Sequence, residues 1–141
     1  MFERIRFVRY ALRFEKAFKT DRWDDVHRCF AADAVYDIQG SGSRFDGEAR
    51  GVDAIVTKLR QMLDEIDRKY DRRAPGLGGW PRMDAGELVV GWKAAYYAGG
   101  ERTMLHGTSR VRFAGGKIVR LVDLVDAGEW RRWSELVGAA V

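Results

Sequence analysis

The chain has 141 residues, of which 46% are apolar and 33% are charged, and this composition indicates a soluble globular protein rather than a disordered one. The single cysteine, Cys29, excludes an intrachain disulfide, and no apolar run approaches the ~20 residues of a membrane-spanning helix. The net charge of +4 comes from 25 basic and 21 acidic residues dispersed along the chain, so we expect no nucleic-acid partner, and the lack of a long apolar run predicts no membrane partner. The N-terminal sequence MFERIRFVR lacks an apolar signal core, which predicts a cytoplasmic protein, and the length predicts one domain over residues 1–141.

The N-terminal half is predicted to be mainly helical. Apolar residues at spacings of three and four indicate an amphipathic helix over 2–19, with an inward stripe of Phe2, Ile5, Val8, Leu12, Phe14 and Phe18. Asp21 can cap a second, shorter helix that extends through Phe30, and a strand follows over 34–40. A third helix begins near Gly51, and its apolar stripe consists of Ile55, Leu59, Met62, Leu63 and Ile66.

The C-terminal half is predicted to be mainly strand. The segment 70–87 holds both prolines, and we expect a loop over 74–81 between two strand ends. Three strand-like runs follow at 87–97, 102–113 and 117–126, separated by paired glycines, which is typical of an antiparallel meander. A short helix over 128–138 ends the chain. The fold class is therefore α+β, with helices that cover one face of the sheet.

Strand alternation places one carboxylate on an apolar face. In the last strand Asp123 shares its face with Val119 and Leu121, whereas Ile118 and Arg120 are predicted to lie on the opposite face. Burial disfavours the ionised form of a carboxyl group, so we expect a raised pKa for Asp123, which suits a general acid or base. The alternative is a structural carboxylate that caps a turn or pairs with an arginine.

The neighbouring strands predict which other residues face inward. Alternation turns Ser109 inward with Val111, and it turns Trp92 and Tyr96 inward on the strand before. His106 has the opposite parity and is expected to face outward.

The glycines of 76–79 predict a mobile flap at the mouth of a cavity, with Trp80 as a lid residue. Arg72, Arg73 and Arg82 are candidates for contact with an anionic substrate at this mouth.

Three segments in this order resemble the SnoaL-like branch of the nuclear transport factor 2-like superfamily. They are DRWDDVHRCFAADAVYDI (21–38), FDGEARGVDAIVTKL (45–59) and GGKIVRLVDLVDAGEWRRWSELVG (115–138). The resemblance implies a cone-shaped α+β fold in which three N-terminal helices pack on a strongly bent, mainly antiparallel sheet. It also implies a homodimer formed through the outer sheet face. The superfamily contains polyketide cyclases, ketosteroid isomerases, limonene-epoxide hydrolases and non-catalytic binders, so the site must be argued residue by residue.

The resemblance assigns roles to some residues and shows departures at others. SnoaL-type cyclases carry an acid/base aspartate in the last strand, and Asp123 matches it. Limonene-epoxide hydrolases have an aspartate at the same position, and Tyr36 matches their first-strand tyrosine, but Ile38 replaces their asparagine. Ketosteroid isomerases need acids and a tyrosine where this chain has Phe14, Ile38 and Ser109.

These observations predict a cofactor-independent, metal-independent enzyme with an apolar pocket. It would act as a cyclase, isomerase or lyase on a small hydrophobic carbonyl compound, with Asp123 and Tyr36 as catalytic residues. The predicted substrate-binding residues are Phe14, Ile38, Trp80, Trp92, Tyr96, Ser109 and Leu121. One alternative is a non-catalytic binder of hydrophobic ligands or a dimerisation module with the same fold. Another is an epoxide-hydrolase-like enzyme, which is disfavoured by Ile38 and by Val90 and Trp92, because the strand that holds these last two lacks the arginine and the acid of those hydrolases.

Overall fold

A computed structural model describes residues 2–139 of the chain, with four α-helices and one 3₁₀-helix. The helices are α1 (Phe2–Thr20), α2 (Asp24–His27), α3 (Val52–Glu65) and α4 (Ala127–Leu136), and the 3₁₀-helix covers Asp67–Lys69. Among these residues, no helix has the length and the apolar character needed to cross a membrane.

Seven strands form one curled, unclosed sheet. They are β1 (Phe30–Gln39), β2 (Gly47–Arg50), β3 (Arg72–Leu77), β4 (Arg82–Asp84), β5 (Glu87–Ala98), β6 (Glu101–Ala114) and β7 (Lys117–Val125). The strand order is β2-β1-β7-β6-β5-β3, and β4 also pairs with β5. The β1–β7 pair is parallel and the other pairs are antiparallel. The predicted α+β cone, with helices packed on a bent and mainly antiparallel sheet, is therefore confirmed.

The inward face of α1 differs from the prediction. Phe2 and Leu12, which belong to the predicted inward stripe, are 69% and 67% exposed, whereas Phe7, Tyr10 and Ala17 are buried. The prediction failed because α1 carries apolar residues on more than one face, so its periodicity alone does not select the face that packs. The stripe predicted for α3 is confirmed, since Ile55, Leu59, Met62, Leu63 and Ile66 are all buried.

A β-bulge corrects the predicted faces of β7. The antiparallel register pairs Arg112 with Arg120 and then Phe113 with Ile118, so Val119 is an extra residue. Ile118 is consequently buried in the core, although simple alternation placed it on the face of Arg120. Beyond the bulge the alternation is regular, and Leu121 and Asp123 line the same cavity.

Three other predicted boundaries change. The segment 74–81 is not a continuous loop, because β3 runs through Leu77; Pro75 is tolerated since β3 is an edge strand. The second helix ends at His27, and β1 begins at Phe30 rather than at residue 34. The short strand β2 was not predicted.

Candidate functional site

A cavity of about 340 Å³ lies between the helices and the sheet. Helices α1, α3 and α4 contribute Tyr10, Leu59 and Trp133 to its wall, while the strands contribute side chains such as Ile38 and Leu121. Most of the wall is apolar, with a few polar side chains, which is the usual character of a small-molecule pocket.

Asp123 lies at one end of a hydrogen-bonded cluster on this wall. Its two carboxylate oxygens accept separate hydrogen bonds, one from the Ser109 hydroxyl at 2.6 Å and one from the Tyr36 hydroxyl at 2.7 Å. Strand register explains the meeting, because Ser109 lies directly opposite Asp123 on β6 and Ile38 lies beside it on β1. Tyr36 lies two residues before Ile38 and therefore points to the same face.

The environment of Asp123 favours its protonated form. Burial raises the pKa of this carboxyl group, although the Ser109 and Tyr36 hydrogen bonds and the nearby Lys58 ammonium act in the opposite direction. Burial, together with the Asp123 charge, also holds the pKa of Tyr36 well above its ordinary value, so Tyr36 remains a hydrogen-bond donor. The cluster thus holds a carboxyl group whose pKa lies above the ordinary value for an aspartate, as suits a group that both takes up and returns a proton.

Trp92 extends this cluster along β5. Its indole N–H donates to the Ser109 oxygen at 3.0 Å, and its ring lies against Gly107, the residue paired with it on β6. A Cβ atom at position 107 would lie 2.1 Å from Cζ2 of the Trp92 ring. Only glycine therefore fits at this position with Trp92 in its present place.

A second polar cluster lines the same cavity. Tyr96 donates a hydrogen bond to Asp67 at 2.8 Å, and Nη1 of Arg73 lies 3.9 Å from the same carboxylate oxygen. The other terminal nitrogen of Arg73, Nη2, donates to Glu15 at 2.7 Å. Burial raises the pKa of Asp67 to about 6, against the lowering effects of Arg73 and of the Tyr96 hydrogen bond. This cluster is an ion-paired network, whereas the Asp123 cluster is built from hydroxyl groups.

Residues 11–121 match the family described as SnoaL-like domain, which is most of the chain. The chain belongs to this family. A comparison with curated proteins gives no match.

Solved structures share the fold of this SnoaL-like domain. A candidate isomerase from Rhodopseudomonas palustris has a TM-score of 0.72 at 14% identity, with 92% of this chain and 95% of that chain covered. A candidate polyketide cyclase from Xanthomonas campestris pv. campestris has a TM-score of 0.63 at 17% identity, with 94% and 98% covered. An epoxide hydrolase from M. tuberculosis, similar to the limonene-epoxide hydrolases, has a TM-score of 0.61 at 18% identity, with 92% and 90% covered. At these identities the likeness establishes the fold alone.

The SnoaL-like domain brings most of the predicted site residues to one cavity. Those that line it are Phe14, Tyr36, Ile38, Trp92, Tyr96, Ser109, Leu121 and Asp123. Trp80 is not among the residues that line the cavity, and its side chain is 90% exposed, so its role as a lid residue stays a prediction. Trp80 follows the β3 strand end in a segment directed to solvent. His106 is exposed, as predicted, and its ring contacts Glu129 at 3.0 Å.

The structure adds site residues that the sequence interpretation missed. Tyr10, Asp67 and Arg73 all line the cavity, whereas the sequence predicts no role for the first two and places Arg73 only at the mouth. A tyrosine among the apolar positions of α1 was a usable signal for Tyr10, whereas no periodic pattern covers Asp67. Within residues 2–139, no group of three or more histidine, cysteine or acidic side chains is arranged to hold a metal ion.

Proposed function

We propose that this SnoaL-like domain is an acid/base enzyme that acts on a small hydrophobic carbonyl compound. The observation that carries the proposal is the convergence of Tyr36 and Ser109 on the Asp123 carboxyl group in the wall of an otherwise apolar cavity. The reaction type is that of a cyclase, isomerase or lyase, since each of these can begin with the same proton transfer.

The proposed first step is removal of a proton from the carbon next to the carbonyl group. Asp123 takes this proton, the electron pair of the C–H bond moves into the adjacent C–C bond, and the carbonyl oxygen becomes an enolate oxygen. Return of the proton to another carbon gives an isomer, loss of a β substituent gives a lyase product, and attack on a second carbonyl group closes a ring. The raised pKa of Asp123 suits both the uptake and the return of the proton.

The hydroxyl groups of Tyr36 and Ser109 donate hydrogen bonds to the base, Asp123, rather than to the enolate oxygen. Both donate to Asp123, so they orient its carboxylate and stabilise its charge. Tyr10 is the better candidate donor to the enolate oxygen, because it lines the cavity and lies near enough to Asp123 for that carboxylate to raise its pKa. A donor at this oxygen stabilises charge where it develops.

The experiment uses 2-tetralone, a hydrophobic ketone with acidic α hydrogens, in deuterated buffer. We expect the protein to accelerate deuterium exchange at the α carbon, and NMR measures the rate. Asp123→Asn should reduce the accelerated rate by about 10²–10⁴-fold, the usual contribution of a general base. Asp33→Asn is the matched control, because Asp33 is exposed on β1 and away from the cavity.

Two outcomes would contradict the enzyme proposal: no exchange above that of the buffer, or equal exchange in the Asp123→Asn variant. Saturable binding of 2-tetralone without exchange would favour the second candidate, a non-catalytic binder. The fact that both oxygens of Asp123 already accept hydrogen bonds supports this second candidate. The homodimer and the cytoplasmic location stay predictions.

A further inference from the structure

The cavity wall carries buried donors that have no acceptor. Within residues 2–139, four buried side-chain nitrogens have no hydrogen-bond partner: Nε and Nη1 of Arg73, and the indole nitrogens of Trp130 and Trp133. All three side chains line the cavity. A buried donor without a partner is costly, so proteins rarely keep several of them together without a use. The unpartnered donors therefore mark a part of the cavity wall whose polar groups the protein's own side chains leave incompletely hydrogen-bonded.

Arg73 and Asp67 form the polar centre of this wall. The Arg73 side chain is 12% exposed and Asp67 is 7% exposed, so both are largely withdrawn from bulk water. The guanidinium already has carboxylates on two sides, from Glu15 and Asp67. A third carboxylate from a ligand would be repelled, whereas a neutral hydroxyl can accept from Arg73 and donate to Asp67.

Strand geometry separates this centre from the Asp123 cluster. Trp92 donates into the Asp123 cluster and Tyr96 donates to Asp67, and both side chains lie on the same face of β5. Four residues along a strand span roughly 13 Å between their Cα atoms. A single small molecule with an apolar body of two rings can therefore reach from one cluster to the other.

We propose that Arg73 and Asp67 form a second subsite, which binds a neutral hydroxyl group at the end of the substrate remote from Asp123. The substrate class is thus a two-ended one, with a carbonyl group at Asp123, an apolar body and a hydroxyl group at Arg73 and Asp67. This inference rests on the proposed function for the identity of the carbonyl end.

The test compares three rigid probes of similar length by isothermal titration calorimetry. They are 4-hydroxybiphenyl, 4,4′-dihydroxybiphenyl and 4′-hydroxybiphenyl-4-carboxylate. We expect the dihydroxy probe to bind about fivefold more tightly than the monohydroxy probe, which is the typical net effect of one added hydrogen bond. The carboxylate probe should bind more weakly than the dihydroxy probe, because Glu15 and Asp67 repel it.

Substitution of Asp67 assigns the effect to this subsite. In Asp67→Ala the affinity ratio of the dihydroxy and monohydroxy probes should fall close to one. Asp64→Ala is the control, because Asp64 is an exposed aspartate on α3 three residues earlier in the chain. If Asp67→Ala does not fold, the three probes on the unaltered protein still test whether the cavity binds a second hydroxyl group.

Several results would overturn the subsite. Two concern the affinity ratio of the dihydroxy and monohydroxy probes: a ratio near one in the unaltered protein, or a ratio that Asp67→Ala does not change. The other two are tighter binding of the carboxylate probe than of the dihydroxy probe, and no binding of any probe. Tetralone exchange that depends on Asp123 would survive each of these results, so failure of the subsite is distinguishable from failure of the proposed enzyme.

Discussion

The cavity contains the same pair of residues twice, an aspartate that accepts a hydrogen bond from a tyrosine. The Tyr36–Asp123 and Tyr96–Asp67 distances are 2.7 and 2.8 Å, and burial raises the pKa of both carboxyl groups. The pairs differ in what surrounds them. Asp123 receives a second hydroxyl, whereas Asp67 lies beside the Arg73 guanidinium. A carboxyl group held by hydroxyls can gain and lose a proton without breaking an ion pair, and this difference is the basis for proposing proton transfer at Asp123 and binding at Asp67.

The largest expected effect comes from removing the cation that distinguishes the two pairs. Arg73→Met leaves the Asp67 carboxylate buried without its guanidinium, and we expect the free energy of unfolding to fall by about 3–5 kcal/mol. The loss should be smaller at pH 5 than at pH 8, because the pKa of Asp67 is about 6 and the protonated acid needs no cation. Urea denaturation at the two pH values measures both effects.

Arg110→Met is the control for the Arg73 substitution. Arg110 also contacts two carboxylates, those of Asp84 and Glu87, but it does so near the surface. Substitution of Arg110 should lower the free energy of unfolding much less than substitution of Arg73, since exposed ion pairs contribute little to stability. Equal losses for the two substitutions would show that Arg73 does not act as a buried counter-ion.

The next effect is the pH dependence of stability caused by Asp67. The shift in its pKa from 3.8 to about 6 means that the folded state favours the protonated form, by an amount on the order of 3 kcal/mol. This contribution is fully present below about pH 4 and is lost as the pH rises through 6. Asp67→Asn removes the titration, so the difference in unfolding free energy between the two proteins should change by that amount between pH 4 and pH 8.

Asp33→Asn serves as the reference for this pH series, because it changes an exposed aspartate. Its unfolding is measured over the same pH range, which separates the effect of Asp67 from that of removing any one aspartate charge. A constant difference between the unaltered protein and Asp67→Asn across the range would mean that Asp67 titrates at its ordinary pKa.

A third, smaller effect concerns the support of the Asp123 cluster. Gly107→Ala places a Cβ atom within 2.1 Å of the Trp92 ring, so the ring must move and its hydrogen bond to Ser109 is lost. We expect a loss of about 1–3 kcal/mol in the free energy of unfolding, which is usual for an overpacked core, and slower tetralone exchange.

Gly91→Ala is the matched substitution for Gly107→Ala. A Cβ atom at position 91 would meet the Gly78 backbone at 3.8 Å, which is ordinary contact. Thermal unfolding of both variants decides the prediction. Equal stability of the two would show that Trp92 has room to move at no cost.

The two clusters also differ in how far the sequence predicts them. The Asp123 cluster is predictable because the period of two assigns Ser109, Trp92 and Asp123 to faces once their strands pair in register. Asp67 lies in a three-residue 3₁₀-helix, and Arg73 lies in a strand that contains a proline. Neither segment has a period, so only the folded chain brings these two side chains together.

The remaining errors have local causes. The α1 helix has apolar residues around much of its circumference, so its periodicity did not predict that Tyr10 faces inward. The bulge at Val119 reversed the expected face of Ile118, and no pattern in the sequence predicts an extra residue of this kind. The overall fold was nevertheless predictable, because it depends on the order of the elements and not on these details.

The smallest effect tests how the hydroxyl groups set the pKa of Asp123. The Tyr36 hydroxyl stabilises the carboxylate, so Tyr36→Phe should raise the pKa of Asp123 above its value in the unaltered protein. Carboxyl carbon NMR measures this pKa, with Asp123→Asn to assign the signal.

Tyr97→Phe is the control, because it also removes one tyrosine hydroxyl, but the Tyr97 ring stacks on Arg72. The base requires its ionised form, so the rising limb of the exchange profile should move to higher pH in Tyr36→Phe. A pKa that falls or stays constant would mean that the Tyr36 hydroxyl does not hold the base in solution.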